Sequence, residues 1–410
     1  MSLAAELCAF LDERREELLG FLEELVATDS SIPPYADERA VVALLQDRLA
    51  ELGNGAGKIL ARDQRRPNLI VRLKGNGSGS SLLLNGHVDT KPVGDALPLW
   101  HSPPLQPERR DGRLYGLGTS DMKGAVAAMA YAAAAIKHVG AALGGDLVLA
   151  FVADEEAGGA FGSKFVAGQP DARADACLVG EPSGWERDWQ GLHLVSRGVC
   201  CFRIRVKGTQ MHSSLSDRMP CVNASTKMAD LMLRIADELE LEFEPHPLGQ
   251  DPPTLNVGVV VSGGVFFGVY PGQAEFGCDL RTLPGMTLES VQRSLDRWLD
   301  ARRSHDPSLV VEVHFQEGLS WVPPSEIPPE HPLVRATQRA AELVLGASPP
   351  LSVFPGGTDS PWWDAVGIPT VPSFGPGILT YCHGPNEFID LDAVVEASKM
   401  YALTAALYCA

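Results

Sequence analysis

The run Leu82-Leu83-Leu84-Asn85-Gly86-His87-Val88-Asp89 is an apolar segment that ends in His-x-Asp. A continuous apolar run of this length reads as a strand buried on both faces, as in a parallel sheet covered by helices. In such an open sheet the ligand crevice lies beyond the carboxyl ends of the strands. His87 and Asp89 stand two apart on extended chain, so both side chains leave on the same side. A carboxylate next to an imidazole suits a metal site, because it fixes the tautomer and makes the other ring nitrogen a better ligand.

The same arrangement recurs along the chain. Asp146–Asp154 is a second apolar strand and leads into Glu155-Glu156. Ala176–Gly180 is a third and ends in Glu181-Pro182, while Ile368–Gly375, interrupted by prolines, leads to His383. Between the first two, Leu114–Asp121 places a carboxylate just before an Ala-rich helix over 124–138. Solvated acids at strand ends would explain any one of these, but poorly explain two histidines and several acids converging on one sheet edge.

A chain of 410 residues exceeds the usual size of one core, so two domains are expected. Helical periodicity covers 3–27 and 37–52, and 68–73 reads as a strand. The alternation of strands and helices to residue 180 implies an α/β domain built on a mostly parallel sheet flanked by helices. The order then changes to strand 193–208, helix 221–241, strands 254–261 and 273–283, helix 288–303 and strand 309–316. This β-α-β-β-α-β series is the ferredoxin-like α+β unit. We place it as an insertion over 196–316, which leaves 1–195 and 317–410 as one discontinuous catalytic domain. Helices over 333–345 and 392–407 resume that domain, and the Pro-rich stretch Trp321–Pro329 reads as the return linker.

With 45% apolar and 21% charged residues, the chain has an ordinary globular composition. Its net charge of −18 argues against nucleic acid or an anionic membrane as partner. An anionic substrate would therefore need a local positive site. The eight cysteines contain no C-x-x-C, so neither a disulfide framework nor a thiolate zinc site is suggested. No signal peptide is recognisable, and the apolar stretch 124–136 is too short to span a bilayer, so a cytoplasmic protein is expected.

Imidazole and carboxylate donors without thiolate favour zinc, with cobalt or manganese able to substitute. If His87, Asp121, Glu156, Glu181 and His383 surround two divalent ions, three ligand carboxylates cancel three of four positive charges. A bridging hydroxide would cancel the last, and Asp121, at the mouth of its helix, is the candidate bridging carboxylate. The Glu155-Glu156 doublet allows a division of labour, one glutamate binding metal while the other carries a proton to the leaving amine. Ser120-Asp121-Met122-Lys123 also fits the S-x-x-K start of a serine acyl-enzyme signature, but its companion motifs are absent.

Gly86-His87-Val88-Asp89, Gly118–Gly124, Glu155-Glu156-x-Gly, Gly180-Glu181-Pro182, Gly356–Ser360 and His383–Glu387 together resemble, in order and over nearly the whole chain, the co-catalytic metallopeptidases. That family includes acetylornithine deacetylase, succinyl-diaminopimelate desuccinylase, aminoacylase and glutamate carboxypeptidase. The resemblance implies a zinc-peptidase-like catalytic domain with the inserted unit as lid and dimerisation domain. It implies two Zn2+ ions with His87, Glu156, Glu181 and His383 as terminal ligands, Asp121 as the bridge, Asp89 orienting His87, and Glu155 as general base. A cis Asp121-Met122 peptide is implied as well. Lys207–Ser214 resembles the segment whose histidine, here His212, polarises the scissile carbonyl in the partner subunit's site. Asp279-Leu280-Arg281 resembles the strand whose arginine binds a substrate carboxylate, with Asn256 and Gly357 as further substrate contacts.

The chain departs from the family around Gly268, where an Asn is frequent, and Phe266, Phe267, Trp362 and Trp363 are either an apolar wall or core. The expected activity is amide hydrolysis of an N-acyl amino acid by a homodimer. The alternative is a carboxypeptidase or dipeptidase cleaving a short peptide with the same machinery.

Overall fold

Every residue of the helical stretch Gly124–Ile136 is buried, which suits its many alanines: small side chains let neighbouring elements pack closely on a helix covered all round, with Met129 and Tyr131 filling wider spaces. The computed structural model describes residues 2–249 and 251–410, and they divide into two units. The first comprises 1–196, 325–354 and 358–410, the second 197–324 and 355–357.

The first unit is built on a six-stranded sheet in the order Lys58–Leu60, Asn68–Leu73, Leu147–Val152, Leu82–His87, Ala176–Val179, Thr370–Val371. The last four run parallel to one another, and Asn68–Leu73 runs against its neighbours. Leu82–His87 and Leu147–Val152 are buried at every position, Asn85 and His87 included. Helix Gly124–Val139 connects these two parallel strands and packs against the closing helix Leu391–Tyr408.

Three differences from the sequence expectation have local causes. The helix expected over 3–27 is two, Leu3–Glu13 and Arg15–Ala27, parted where Arg14 leaves helical backbone angles. The strand expected over 193–208 splits into Leu192–Ser196 and Gly198–Lys207, each serving a different sheet, because the chain crosses between units at Arg197. The segment 368–375 yields only Thr370–Val371, followed by Gly375–Ile378, since Pro369 and Pro372 offer no N–H to a ladder.

The second unit has an antiparallel sheet ordered Thr254–Gly263, Gln273–Thr282, Gly198–Lys207, Val310–Phe315. Helices Ala224–Glu238 and Leu288–His305 supply Met228, Leu231, Ile235, Val291, Leu295 and Leu299 to a core shared with Phe202, Ile204, Val206 and Phe276. The unit reaches Pro324 and not 316, because Val322 pairs with Val199; Ser325–Glu326 then pairs with Val195 and Ser196 in the first unit.

Candidate metal centre

Strands Leu147–Val152, Leu82–His87 and Ala176–Val179 are adjacent and parallel, so their carboxyl ends share one edge. That edge receives His87 at a strand end, Glu155 and Glu156 after the second strand, and Glu181 after the third. Asp154 turns the chain with a left-handed φ of 69°, and Glu155–Ala157 form one tight helical turn. Strand Gly375–Ile378 runs parallel to Pro182–Gly184, directly after Glu181, and carries the chain on to His383.

Asp121 is presented by a turn held from outside. Gly118, at φ 77°, opens it, and the Asp121-Met122 peptide is cis. The buried Glu387 carboxylate accepts the N–H of Gly118 at 2.9 Å, of Ser120 at 2.9 Å and of Asp121 at 3.1 Å.

The five donors form two groups that share Asp121. In one, His87 Nε2 lies 2.9 Å from Asp121 Oδ1 and 3.5 Å from Glu181 Oε1. In the other, His383 Nε2 lies 3.1 Å from Asp121 Oδ2 and 3.1 Å from Glu156 Oε1. Within each group the ligand atoms lie within 4.8 Å of one another, a spacing that one cation could satisfy. Asp89, Asp121, Glu156 and Glu181 are all buried here, more carboxylate than the nearby cations neutralise.

The electrostatics follow. Burial opposes a charged His383, yet Glu156 and Asp121 push its imidazole up to about 11. Burial would raise Asp121, but hydrogen bonds from His383 and His87 hold it well below the carboxylate range. Burial, joined by repulsion from Asp121, pushes Glu181 up to about 7. Leaving such charge uncompensated costs several kcal/mol per ion (order of magnitude), so the donor set fits two divalent cations. Mixed imidazole and carboxylate donors suit zinc and its neighbours.

Asp89 differs from its expected part. His87 Nδ1 meets the Asp89 main-chain carbonyl at 3.0 Å, whereas the carboxylate stands 3.7 Å away. That carboxylate accepts the N–H groups of Glu155 at 3.2 Å and Glu156 at 3.1 Å, so Asp89 aims the glutamate doublet and its carbonyl aims His87. Behind the same turn, buried Arg66 binds Glu38 at 2.7 Å and Asp154 at 3.0 Å. Lys91 forms a 3.0 Å ion pair with Glu156 Oε2. Sequence reading assigned no part to Arg66, Lys91 or Glu387; only Glu387 carried a signal, being within the segment that starts at His383.

Ser120 and Lys123 do not form a nucleophile pair. Ser120 Oγ donates to the Phe388 carbonyl at 2.6 Å, and Lys123 Nζ donates to the carbonyls of Leu25 and Thr28, each at 2.9 Å. Trp363 is core, its Nε1 donating to Asn85 Oδ1 at 3.1 Å, and Trp362 stacks under Lys164.

The remaining residues singled out from the sequence belong to the second unit. His212 is exposed, on a two-residue strand paired with Val269–Tyr270, and its Nδ1 accepts from Ser214 Oγ at 2.8 Å. Asn256 and Arg281 lie on adjacent strands, and one Arg281 nitrogen is held by Asp279 Oδ2 at 2.8 Å. Gly357 has its Cα against Val199, where an added Cβ would come within 2.8 Å of a methyl group. Phe266 and Phe267, 77% and 93% exposed, are neither core nor a buried wall.

The family model of peptidase family M20/M25/M40 matches residues 83–407. N-formyl-4-amino-5-aminomethyl-2-methylpyrimidine deformylase of Bacillus subtilis (strain 168) is 28% identical, the alignment covering 95% of this chain and 94% of that protein. Acetylornithine deacetylase of Photorhabdus laumondii is also 28% identical, with 93% of each chain covered. Among solved structures, human carnosine dipeptidase 1 superposes with a TM-score of 0.77 at 19% identity, over 100% of this chain and 99% of that one.

Proposed function

The chain belongs to peptidase family M20/M25/M40, a family of metal-dependent hydrolases of carbon–nitrogen bonds, and from that premise we propose that it deacylates an N-acyl amino acid. The observation that carries the reading is Asp121, whose two carboxylate oxygens face His87 at 2.9 Å and His383 at 3.1 Å. One carboxylate so shared, with Glu155 on the adjoining turn, is what a paired-cation amidohydrolase needs. The two full-length relatives are named as a deformylase and a deacetylase, which supports an acyl group as the part removed.

Two zinc ions bound there would act as Lewis acid toward the amide carbonyl and make a water acidic enough to attack near neutral pH. Glu155, held by the Asp89 carboxylate through its own N–H, takes the proton of the attacking water and returns it to the leaving nitrogen. His87 and Glu181 would hold one ion, Glu156 and His383 the other, and Asp121 would serve both. Arg281 takes a substrate carboxylate through the edge of the guanidinium that Asp279 leaves open, with Asn256 and Gly357 beside the substrate. His212 donates to the carbonyl oxygen in a partner subunit's site.

The test is hydrolysis of N-acetylornithine, other N-acyl amino acids, N-formyl amines and dipeptides by zinc-restored protein. Chelator-sensitive turnover of the N-acyl amino acids, indifferent to serine reagents, is expected. A preference for dipeptides would favour the second reading, a dipeptidase, supported by a shared fold with carnosine dipeptidase 1. No turnover on any of these would defeat both.

A homodimer through the second unit is part of the same proposal. Its edge strand Thr254–Gly263 exposes Val259, Val260 and Val261, followed by Phe266 and Phe267. Exposed apolar edges are templates for pairing with another chain. Sedimentation should give a dimer, and Val260→Asp should raise its dissociation constant by roughly tenfold or more, with activity lost as monomer accumulates. A fully active monomer would refute both the dimer and the part given to His212.

A further inference from the structure

The segment that follows Asp89 touches the centre a second time. Lys91 Nζ lies 3.0 Å from Glu156 Oε2 and also donates to the Glu156 main-chain carbonyl. Glu156 Oε1 faces His383 Nε2 at 3.1 Å. The two oxygens of this carboxylate are thus divided, one toward an ammonium group and one toward the shared donors. The Glu156 N–H is fixed by Asp89, so residues 89–91 hold this glutamate by main chain and side chain together.

The other donor group is built differently. Glu181 Oε1 has the His87 imidazole as its ion-pair partner, and among the described residues no lysine or arginine forms an ion pair with Glu181. Asp121 is held by two imidazoles and by the Glu387 cradle around its turn. The permanent cation therefore stands on one side of Asp121 only.

We propose that Lys91 is a positioning residue that keeps Glu156 a one-oxygen ligand and makes the cation position of Glu156 and His383 the weaker of the two. This rests on the paired-cation reading above. Two effects act in the same direction. An ammonium group on Oε2 withholds the second oxygen from chelation, and its charge sits one carboxylate away from a divalent ion. Glu156 is buried between Lys91 and His383, which are partly exposed, and like charges so placed repel enough to change an affinity by about an order of magnitude. The position of His87, Asp121 and Glu181 keeps Glu181 free of an ammonium partner and feels the Lys91 charge from farther off. The two positions would then fill in turn as the metal concentration rises.

The test is calorimetric titration of the metal-free, full-length protein with Zn2+. The wild type should take two ions per chain in two separated steps, and His383→Ala should lose the weaker step alone. Lys91→Met should tighten the weaker step by roughly tenfold and leave the tighter one within about twofold, so the steps draw together. Lys91→Arg, which keeps the charge, should keep them apart. Lys91→Gln, which is neutral but can still donate to the Glu156 carbonyl, should behave as Lys91→Met and serves if that variant does not fold. A weaker step that Lys91→Met or Lys91→Gln leaves unmoved or loosens, or a tighter step that shifts equally, overturns the proposal. So does loss of the tighter step in His383→Ala. Uptake of fewer than two ions by the wild type would instead overturn the paired-cation reading beneath it.

Discussion

Glu155→Gln should keep its bound metal and lose roughly 1,000-fold in kcat, the middle of the range for removing a positioned general base. Glutamine has nearly the shape of glutamate, and the Glu155 main-chain N–H still binds Asp89, so the turn that carries Glu156 is preserved. What disappears is the capacity to accept a proton. Glu155 is also the group whose carboxyl burial, followed by repulsion from Glu181, raises well above its ordinary value, an effect that bound cations would oppose. Metal content by atomic emission and steady-state kinetics on the best N-acyl substrate check the expectation. A variant with full metal and near-normal kcat would remove Glu155 from the proton path.

Asp121→Ala should be more damaging, because it subtracts a donor from both groups at once. Each group has three members, and Asp121 is common to the two. The expected outcome is loss of both calorimetric steps under conditions where His383→Ala still shows one. Activity should fall by more than about 1,000-fold, since several kcal/mol of charge stabilisation goes with the ions and each 1.36 kcal/mol is a factor of ten. The Glu387 cradle contacts the main-chain N–H of Asp121 and not its side chain, so the turn has reason to survive the change. Retention of one tight ion would mean that Asp121 is not shared.

The convergence of the donors was legible because each follows a feature that periodicity exposes. His87 and Glu181 close apolar runs, Glu155 and Glu156 follow another, and Asp121 stands before an alanine helix. Parallel order then aligns those ends without further information. Side-chain destinations across distant segments were not legible. Lys91 acts on Glu156, Arg66 on Glu38 and Asp154, and Glu387 on the Asp121 turn, contacts that no local pattern encodes. Asp89 shows the finer limit: spacing put it beside His87 but could not say that its carbonyl faces the ring while its carboxylate faces the glutamates. The break at Arg14 carries no Gly or Pro to announce it. Phe266 and Phe267 look like core in sequence, and only the position of their loop next to an edge strand leaves them in solvent.

The first unit is closed by chain that returns after the second has been completed, and His383 arrives on that late return. A polypeptide still emerging from the ribosome therefore carries four of the five donors and one imidazole too few. That chain has all three members of the His87, Asp121 and Glu181 group and two of the three in the other. The donor set is in this way completed only by the segment that returns to the first unit.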